Sequence, residues 1–254
     1  EILNFSDLVI ECLSDFSIAT FKVGTKVDRD ILNRELEFQL LFGENFGESL
    51  KSQLNREIGI SVYKKSGLEA QMDNPDAVAI IDTSYDVVNL EIKSLFIEGN
   101  YNKYDRTLPQ TRWPCHSCKG IGCDKCNNTG QLYPDSVQSL IASPFVVASF
   151  CSEDLFHGMG REDIDAAMLG SGRPFVLELR MPKNRNLNLL EIEKKINSEN
   201  KDRIRASNLK FVKRPRVAEL KNTVCDKTYR VDVSISDKIS IESLKKGAQR
   251  LTGT

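Results

Sequence analysis

An α+β fold is predicted for this chain of 254 residues. Two segments with apolar side chains at helical spacing come first, and two strand-like segments follow them. Forty per cent of the residues are hydrophobic, which is enough to bury a core, and no apolar run approaches the roughly 20 residues of a membrane helix. The order helix, helix, strand, strand indicates a compact domain that ends near residue 100.

Residues 28–42 form the first predicted helix, because apolar side chains recur at three- and four-residue spacing between Ile31 and Leu41. Asp28 is suited to cap the start of this helix, and Gly43 is suited to end it. One more helix and two strands complete the region, at residues 45–58, 77–82 and 87–97. The second of these strands alternates apolar and polar side chains, as a half-buried strand does.

After residue 134 the pattern again predicts regular structure, and the elements belong to both classes. The helices are predicted at 135–148, around 189–196 and at 240–246, and the strands at 173–180, 204–213 and 224–235. The α+β class therefore extends over the whole chain.

The charge is distributed unevenly along the chain. Residues 1–100 contain nine Lys and Arg against 18 Asp and Glu, whereas the remainder contains 26 against 18. The segment 201–216 alone has seven basic residues and one acidic residue. A polyanion such as RNA is expected to meet the second part of the chain, and a solvated strand face is the alternative interpretation of this basic segment.

Four cysteines occur within twelve residues in the pattern CxxC-x4-CxxC, and we call the surrounding residues 108–133 the cysteine knuckle. The four are Cys115, Cys118, Cys123 and Cys126. Pairs with this spacing are typical of a closed tetrahedral zinc site, which is structural rather than catalytic. The alternatives are a reduced loop without metal and a redox pair, and the stretch is also similar to the zinc domains of chaperones.

A glycine-rich segment at 158–172 contains Arg161 and three carboxylates, namely Glu162, Asp163 and Asp165. Loops of this composition commonly present catalytic groups to a ligand. Three interpretations remain open from composition alone: a solvated acidic turn, a metal-binding carboxylate cluster, or a catalytic aspartate that acts as a nucleophile.

Several motifs, in the same order, resemble the archaeal and eukaryotic family of tRNA pseudouridine-54/55 synthases. They are LPQTRWPC at 108–115, GREDID at 160–165, LGSGRPF at 169–175, KTY at 227–229 and LFIEGNY at 95–101. The resemblance implies that a THUMP-containing, RNA-binding domain covers residues 1–107. The cysteine knuckle would follow at 108–133, and the first part of a catalytic domain at 134–254.

The resemblance implies roles for individual residues. Asp163 would be the nucleophile, with Asp165 in reserve, Arg161 would orient it, and Tyr229 would stack on the flipped uracil. The residues expected to contact the substrate are Arg173, Lys227, Lys213, Arg214 and Arg216. Two departures from the family pattern are Ala167, where an arginine is usual, and the lack of the motifs that follow later in the catalytic domain.

We expect a cytoplasmic, monomeric tRNA-binding enzyme that carries structural zinc, needs no organic cofactor and does not enter a membrane. The chain starts on Glu1 and lacks the later motifs, so it is expected to be a fragment with little activity alone. The main alternative is a zinc-dependent RNA-binding module without catalysis. A chaperone-type zinc protein is a more distant alternative, because it would have more CxxC units and no GRED loop.

Overall fold

A computed structural model describes residues 2–43, 47–224, 226, 228–234 and 239–250. The chain forms two compact units, Glu1–Asn222 and Thr223–Thr254. The first unit is built from two four-stranded sheets with helices, which makes the fold α+β as predicted. Within the described ranges, no helix combines the length and apolarity needed to cross a membrane.

The first sheet has the strand order β2-β1-β3-β4. Its elements are α1 (Ile2–Leu13), β1 (Thr20–Lys26), α2 (Arg29–Phe42), α3 (Leu50–Ser66), β2 (Glu69–Ala70), β3 (Ala77–Asp82) and β4 (Val87–Ile92). β1 is parallel to β2 and β3, and β4 is antiparallel to β3. Helices α1 and α3 pack against each other and against this sheet.

The buried faces of these elements follow simple periodicities. In α1, Phe5, Val9 and Leu13 recur every four residues and are all buried. In β1, alternate residues such as Phe21 and Val23 face the same core. The sheet therefore buries one face beneath the two helices, as a half-buried sheet should.

The second sheet is antiparallel throughout and has the order β6-β7-β5-β8. Its elements are β5 (Leu95–Lys103), α4 (Val137–Ser149), β6 (Glu153–Gly158), β7 (Met168–Arg180), α5 (Leu189–Glu199), β8 (Ile204–Val212) and α6 (Pro215–Asn222). Helices α4 and α5 cover one face over a core that includes Ile97, Tyr101 and Phe175. Helix α6 packs on the other face through Leu220.

The sequence located most of these elements but misplaced some of their boundaries. The first predicted helix is correct, because the Asp28 side chain accepts from the Asp30 N–H and Gly43 ends the helix. The second helix starts five residues later than predicted, at Leu50, because Ser49 caps it and its side chain accepts from the Ser52 N–H. The helices and strands that the sequence did not reveal are α1, β1, β2, β6 and α6.

The predicted strand 87–97 is in fact two strands that belong to different sheets. β4 ends at Ile92 and pairs with β3, whereas β5 begins at Leu95 and pairs with β7 and β8. Hydropathy could not show the break, because apolar residues lie close on both sides of Lys93 and Ser94. Only the pairing partners distinguish them.

The second unit contains helix α7 (Ile241–Arg250), close to the helix predicted at 240–246. The strand predicted over 224–235 is wrong for the residues that are described there, which adopt no regular structure. A strand requires a neighbouring strand for its backbone hydrogen bonds. The described residues of this unit supply none.

Candidate functional site

The cysteine knuckle brings its four sulfur atoms together, all within 4.8 Å of one another. The Sγ–Sγ distances are 4.0 Å for Cys115–Cys123, 3.8 Å for Cys118–Cys126 and 3.7 Å for Cys123–Cys126. A tetrahedron of thiolates with Zn–S bonds of about 2.3 Å separates its sulfurs by about 3.8 Å. The four sulfurs therefore fit a tetrahedral metal ion, and the residues could hold one.

Tight turns create this arrangement, and two glycines are required for them. Gly130 has φ 70°, and a Cβ at this position would lie 2.3 Å from the carbonyl oxygen of Gly120. Gly122 has φ 108°, and a Cβ there would lie 2.9 Å from the oxygen of Asn128. A side chain at either position would clash with backbone, so both positions favour glycine.

Backbone N–H groups point at the sulfurs, as they do around thiolates. Gly130 N lies 3.3 Å from Cys126 Sγ, and Gly122 N lies 3.2 Å from Cys118 Sγ. Burial acts to raise the pKa of Cys126, but the N–H groups of Cys123 and Gly130 outweigh it and lower that pKa to about 6. At Cys123 the shift is opposite, because burial raises the pKa of that thiol to about 11. The negative charge of the group is therefore favoured on Cys126, and the thiolate is the form that binds metal.

The loop at 159–167, which we call the aspartate loop, is anchored by the buried side chain of Glu162. Its carboxylate accepts from the Tyr101 hydroxyl at 2.7 Å and from Gln110 Nε2 at 3.0 Å. Arg173 Nε lies 3.1 Å from the same carboxylate as an ion pair, although without hydrogen-bond geometry. Burial and the charge of Glu162 raise the pKa of Tyr101, so this hydroxyl stays protonated as a donor.

Lys103 fixes the backbone of the same loop from within the protein. Its side chain is fully buried, and Nζ donates to the carbonyl oxygens of Leu108, Asp163 and Ile164 at 2.9, 3.1 and 2.9 Å. Burial lowers the pKa of Lys103, while the negative charge of Glu162 opposes this shift. Three acceptors match the three donors of an ammonium group, so the lysine clamps the backbone on which Asp163 lies.

The loop presents Asp163 and Asp165 outward, because both are exposed while Glu162 between Arg161 and Asp163 is buried. Arg161 does not pair with a carboxylate among the described residues. Its guanidinium carbon lies 4.9 Å from the ring centroid of Trp113, which is the only tryptophan of the chain. This cation–π contact joins the aspartate loop to the cysteine knuckle.

The structure gives Arg173 an internal position instead of an exposed one. The residue is 7% exposed, and Nη1 donates to the carbonyl oxygen of Met159 at 2.7 Å. Together with the ion pair to Glu162, this contact leaves the guanidinium inside the protein. The contact of Arg173 with substrate stays a prediction, and in this structure the contacts of its guanidinium lie within the protein.

The three basic residues that follow β8 differ in their surroundings. Lys213 and Arg214 are exposed, and neither makes an ion pair with a described residue. Arg216 Nη2 lies 2.7 Å from Glu98 Oε1, and Nη1 lies 3.1 Å from Glu219 Oε2. The hydrogen bond from Arg216 lowers the pKa of Glu98. Only the first two residues are therefore free to meet a phosphate.

The remaining predicted site residues lie elsewhere. Lys227 is outside the described residues. Tyr229 belongs to the second unit, in irregular chain, and is 77% exposed. The structure brings Asp163, Arg161 and Arg173 onto one loop and the strand next to it.

Sequence reasoning missed Glu162, Tyr101, Gln110 and Lys103 as the supports of the aspartate loop. For Lys103, a charged residue in a strand that is otherwise buried could have been a signal. For Glu162 no local signal exists, because two other carboxylates, Asp163 and Asp165, lie within three residues of it in the same loop.

Two family models match most of the chain. The family model described as "Pus10, C-terminal" matches residues 96–252, and the model of the archaeal Pus10 THUMP domain matches residues 5–82. A protein from Methanocaldococcus jannaschii is 42% identical over 236 residues, which are 93% of this chain and 51% of that protein. One from Methanothrix thermoacetophila is 39% identical over 251 residues, or 98% and 55%.

A third relative, from Archaeoglobus fulgidus, is 35% identical over 250 residues, which are 98% of this chain and 68% of that protein. All three relatives carry the name tRNA pseudouridine synthase Pus10. Fold and matches together define an archaeal THUMP domain followed by a Pus10 C-terminal domain. The chain belongs to the Pus10 family, which confirms the family indicated by the GRED and LGSGRPF motifs. It spans about half the length of the Methanothrix and Methanocaldococcus relatives.

Proposed function

We propose that this chain is part of a tRNA pseudouridine synthase that isomerises uridine in the T arm of tRNA, at position 54 or 55. The observation that carries the proposal is that Asp163 is exposed on the aspartate loop, while the loop is held by buried contacts of Glu162 and Lys103. A carboxylate that is accessible while its backbone is clamped suits a nucleophile, because catalysis depends on fixed geometry. The names of the relatives support the same reaction.

The reaction is an isomerisation, so it requires no oxidant and no organic cofactor. In this proposal the Asp163 carboxylate attacks the uridine and forms a covalent bond to it, and the bond between N1 and C1′ breaks. A bond between C5 and C1′ then forms, and the bond to the Asp163 oxygen breaks again, so the free carboxylate is regenerated. The proton at C5 is lost and N1 gains one, so the atoms balance. The target uridine leaves the tRNA fold to reach the carboxylate, as in other enzymes that act on a flipped base.

The other predicted site residues have different roles in the proposal. Tyr229 stacks on the flipped base, and Lys227 contacts the RNA beside it, as the resemblance implies. Arg161, whose guanidinium lies over the ring of Trp113, orients Asp163, as the resemblance implies. Arg173 supports the loop through Glu162 rather than contacting RNA, because it is buried.

The division of the chain also belongs to this proposal. An RNA-binding part lies before the cysteine knuckle at 108–133, and most of a catalytic part lies after it. β5 is a central strand of the second sheet, between β7 and β8. We therefore place the end of the RNA-binding part at Lys93–Ser94 instead of near residue 107, and count β5 with the catalytic part.

The activity has a direct test. A polypeptide of the relatives' length that carries residues 1–254 is incubated with unmodified tRNA transcript, and pseudouridine is mapped along the RNA. Conversion at T-arm uridines is expected. Tight tRNA binding without any conversion would instead favour an RNA-binding module without catalysis.

We propose zinc as the metal of the cysteine knuckle, because four thiolates at these distances suit it. Purified chain is expected to contain about one equivalent of zinc. Cys118→Ser should lose the metal and change the fluorescence of Trp113, which lies two residues before Cys115, while far-UV circular dichroism changes little. A metal content below about a tenth of an equivalent after chelator-free preparation would contradict the proposal.

We propose that Lys213 and Arg214 contact tRNA phosphates, because both are exposed and without ion pairs to described residues. The double variant Lys213→Gln/Arg214→Gln should bind tRNA more weakly. The slope of log affinity against log salt should become shallower by about 0.9 for each phosphate that the variant no longer neutralises. Dissociation constants measured at several KCl concentrations check this expectation.

Arg216→Gln is the matched control, because Arg216 forms an ion pair with Glu98 and is therefore not expected to contact a phosphate. This variant should lower thermal stability and leave the salt slope close to that of the unaltered chain. Equal slopes for the double variant and the unaltered chain would show that the two residues form a solvated face only.

A further inference from the structure

The covalent connection between the two sheets of the first unit is very short. β4 ends at Ile92 and β5 begins at Leu95, so only Lys93 and Ser94 lie between them. A connection of two residues between separate cores is a natural hinge, since a few backbone angles can swing one core against the other. We call the first sheet with its helices the first half, and the second sheet with its helices the second half. The angle between these two halves depends on contacts made at and around this connection.

Both connecting residues are tied by hydrogen bonds. Lys93 N donates to the carbonyl oxygen of Asp76 at 2.9 Å. Arg185 Nη1 donates to the carbonyl oxygen of Lys93 at 2.5 Å. Ser94 Oγ lies 3.2 Å from Glu178 Oε1, on the second sheet. The hinge is thus bound to both halves.

Arg185 contacts the first half as well as the connection. Its side chain is only 13% exposed, and Nη2 lies 3.8 Å from Asp76 Oδ1. The other oxygen of that carboxylate, Oδ2, is fixed by the N–H groups of Ala19 and Thr20 at 3.1 and 3.3 Å. Arg185 therefore contacts both the hinge, at the Lys93 carbonyl oxygen, and the first half, at the fixed carboxylate of Asp76.

The segment 181–187, which we call the latch, carries Arg185 and is fixed to the second half. Asn184 Nδ2 donates to the carbonyl oxygen of Ala148 at 2.9 Å, and Leu187 is part of the second core. The same segment reaches the first half, because Lys183 O accepts from Ser17 N at 2.7 Å and Met181 packs against the first core. The latch is thus a second bridge between the halves, beside the covalent connection.

We propose that Arg185 is a positioning residue that fixes the angle between the two halves. It thereby sets the distance at which an RNA bound by the first half presents its T arm to Asp163. The inference rests on the proposed function for its catalytic consequence, but the hinge itself does not depend on it. A substrate that contacts both halves needs this angle, whereas a short T-arm hairpin bound by the second half does not.

The first arm of the test is limited trypsin digestion of the 254-residue chain. Lys93 is exposed and lies in the hinge, so its peptide bond becomes a trypsin site once Arg185 no longer ties the Lys93 carbonyl. Arg185→Ala should be cut after Lys93 several times faster than the unaltered chain, as followed by mass spectrometry. Arg185→Lys keeps the charge but lacks the planar fork, and should behave similarly if the alanine variant does not fold.

The second arm compares substrates in a polypeptide of family length. Arg185→Ala should slow pseudouridine formation in intact tRNA by about tenfold to a hundredfold, because misplacement of this kind costs that much. The rate on an isolated T-arm hairpin should change little. Lys183→Ala is the control: Lys183 belongs to the same latch, but its ion pair with Asp15 is exposed, so neither rate should change.

Unchanged cleavage after Lys93 would overturn the proposal, and so would equal rate reductions on both RNAs. Absence of activity in the unaltered protein on either RNA would count against the proposed function, while the digestion would still decide the role of Arg185.

Discussion

Asp163→Asn is expected to abolish pseudouridine formation in a polypeptide of family length that carries this sequence. The substitution keeps the size of the side chain but removes the nucleophilic oxygen charge. Loss of a nucleophile removes the covalent route, so the rate should fall by about a thousandfold or more. Single-turnover conversion of a tRNA transcript, followed by mapping of pseudouridine, measures the effect.

Binding of tRNA should survive this substitution, because phosphate contacts provide most of the affinity and lie on other residues. Asp165→Asn is the matched control, since Asp165 is also exposed on the aspartate loop. It should keep most of the activity. An inactive Asp165 variant beside an active Asp163 variant would move the nucleophile by two residues, and full activity in both variants would refute the proposed mechanism.

Glu162→Ala is expected to cause the largest loss of stability of any single substitution in the aspartate loop. The Glu162 side chain is 2% exposed and faces Arg173, whose side chain is 8% exposed. Removal of the carboxylate leaves the guanidinium charge buried without a carboxylate to balance it, and it also removes the acceptor of Tyr101. Breaking a buried ion pair on one side costs about 3–5 kcal/mol in the free energy of unfolding.

Asp163→Ala is the natural control, because it changes the next residue and the same functional group. Its side chain is exposed, so its effect on the free energy of unfolding should stay within about 0.5 kcal/mol. Urea denaturation of both variants, monitored by the fluorescence of Trp113, measures the difference. Similar destabilisation in the two variants would mean that Glu162 does not anchor the loop.

The two substitutions are expected to show that the neighbouring carboxylates have different roles. Glu162 is expected to stabilise the fold, and Asp163 is expected to be needed for catalysis. This division could not be read from the sequence. Both residues lie in the same glycine-rich loop, but only Glu162 is buried, by its contacts with Tyr101 and Arg173, which belong to different strands.

The sequence also could not show that Arg173 and Arg216 are paired with carboxylates. Each is basic and close to a motif, which made contact with RNA a reasonable expectation. Each is instead paired with a glutamate on a different segment, Glu162 and Glu98 respectively. An ion pair between distant segments leaves no periodic signal in the sequence.

By itself the sequence determined the α+β class, most helices and strands, the cysteine knuckle and the family. These features depend on local patterns, because helical spacing, strand alternation and four cysteines within twelve residues act over a few neighbouring positions. Tertiary structure alone decided the partners of β5, the burial of Glu162 and the latch around Arg185. Each of these depends on which distant segments meet, and residues of one chemical type become buried or exposed only when those segments pack.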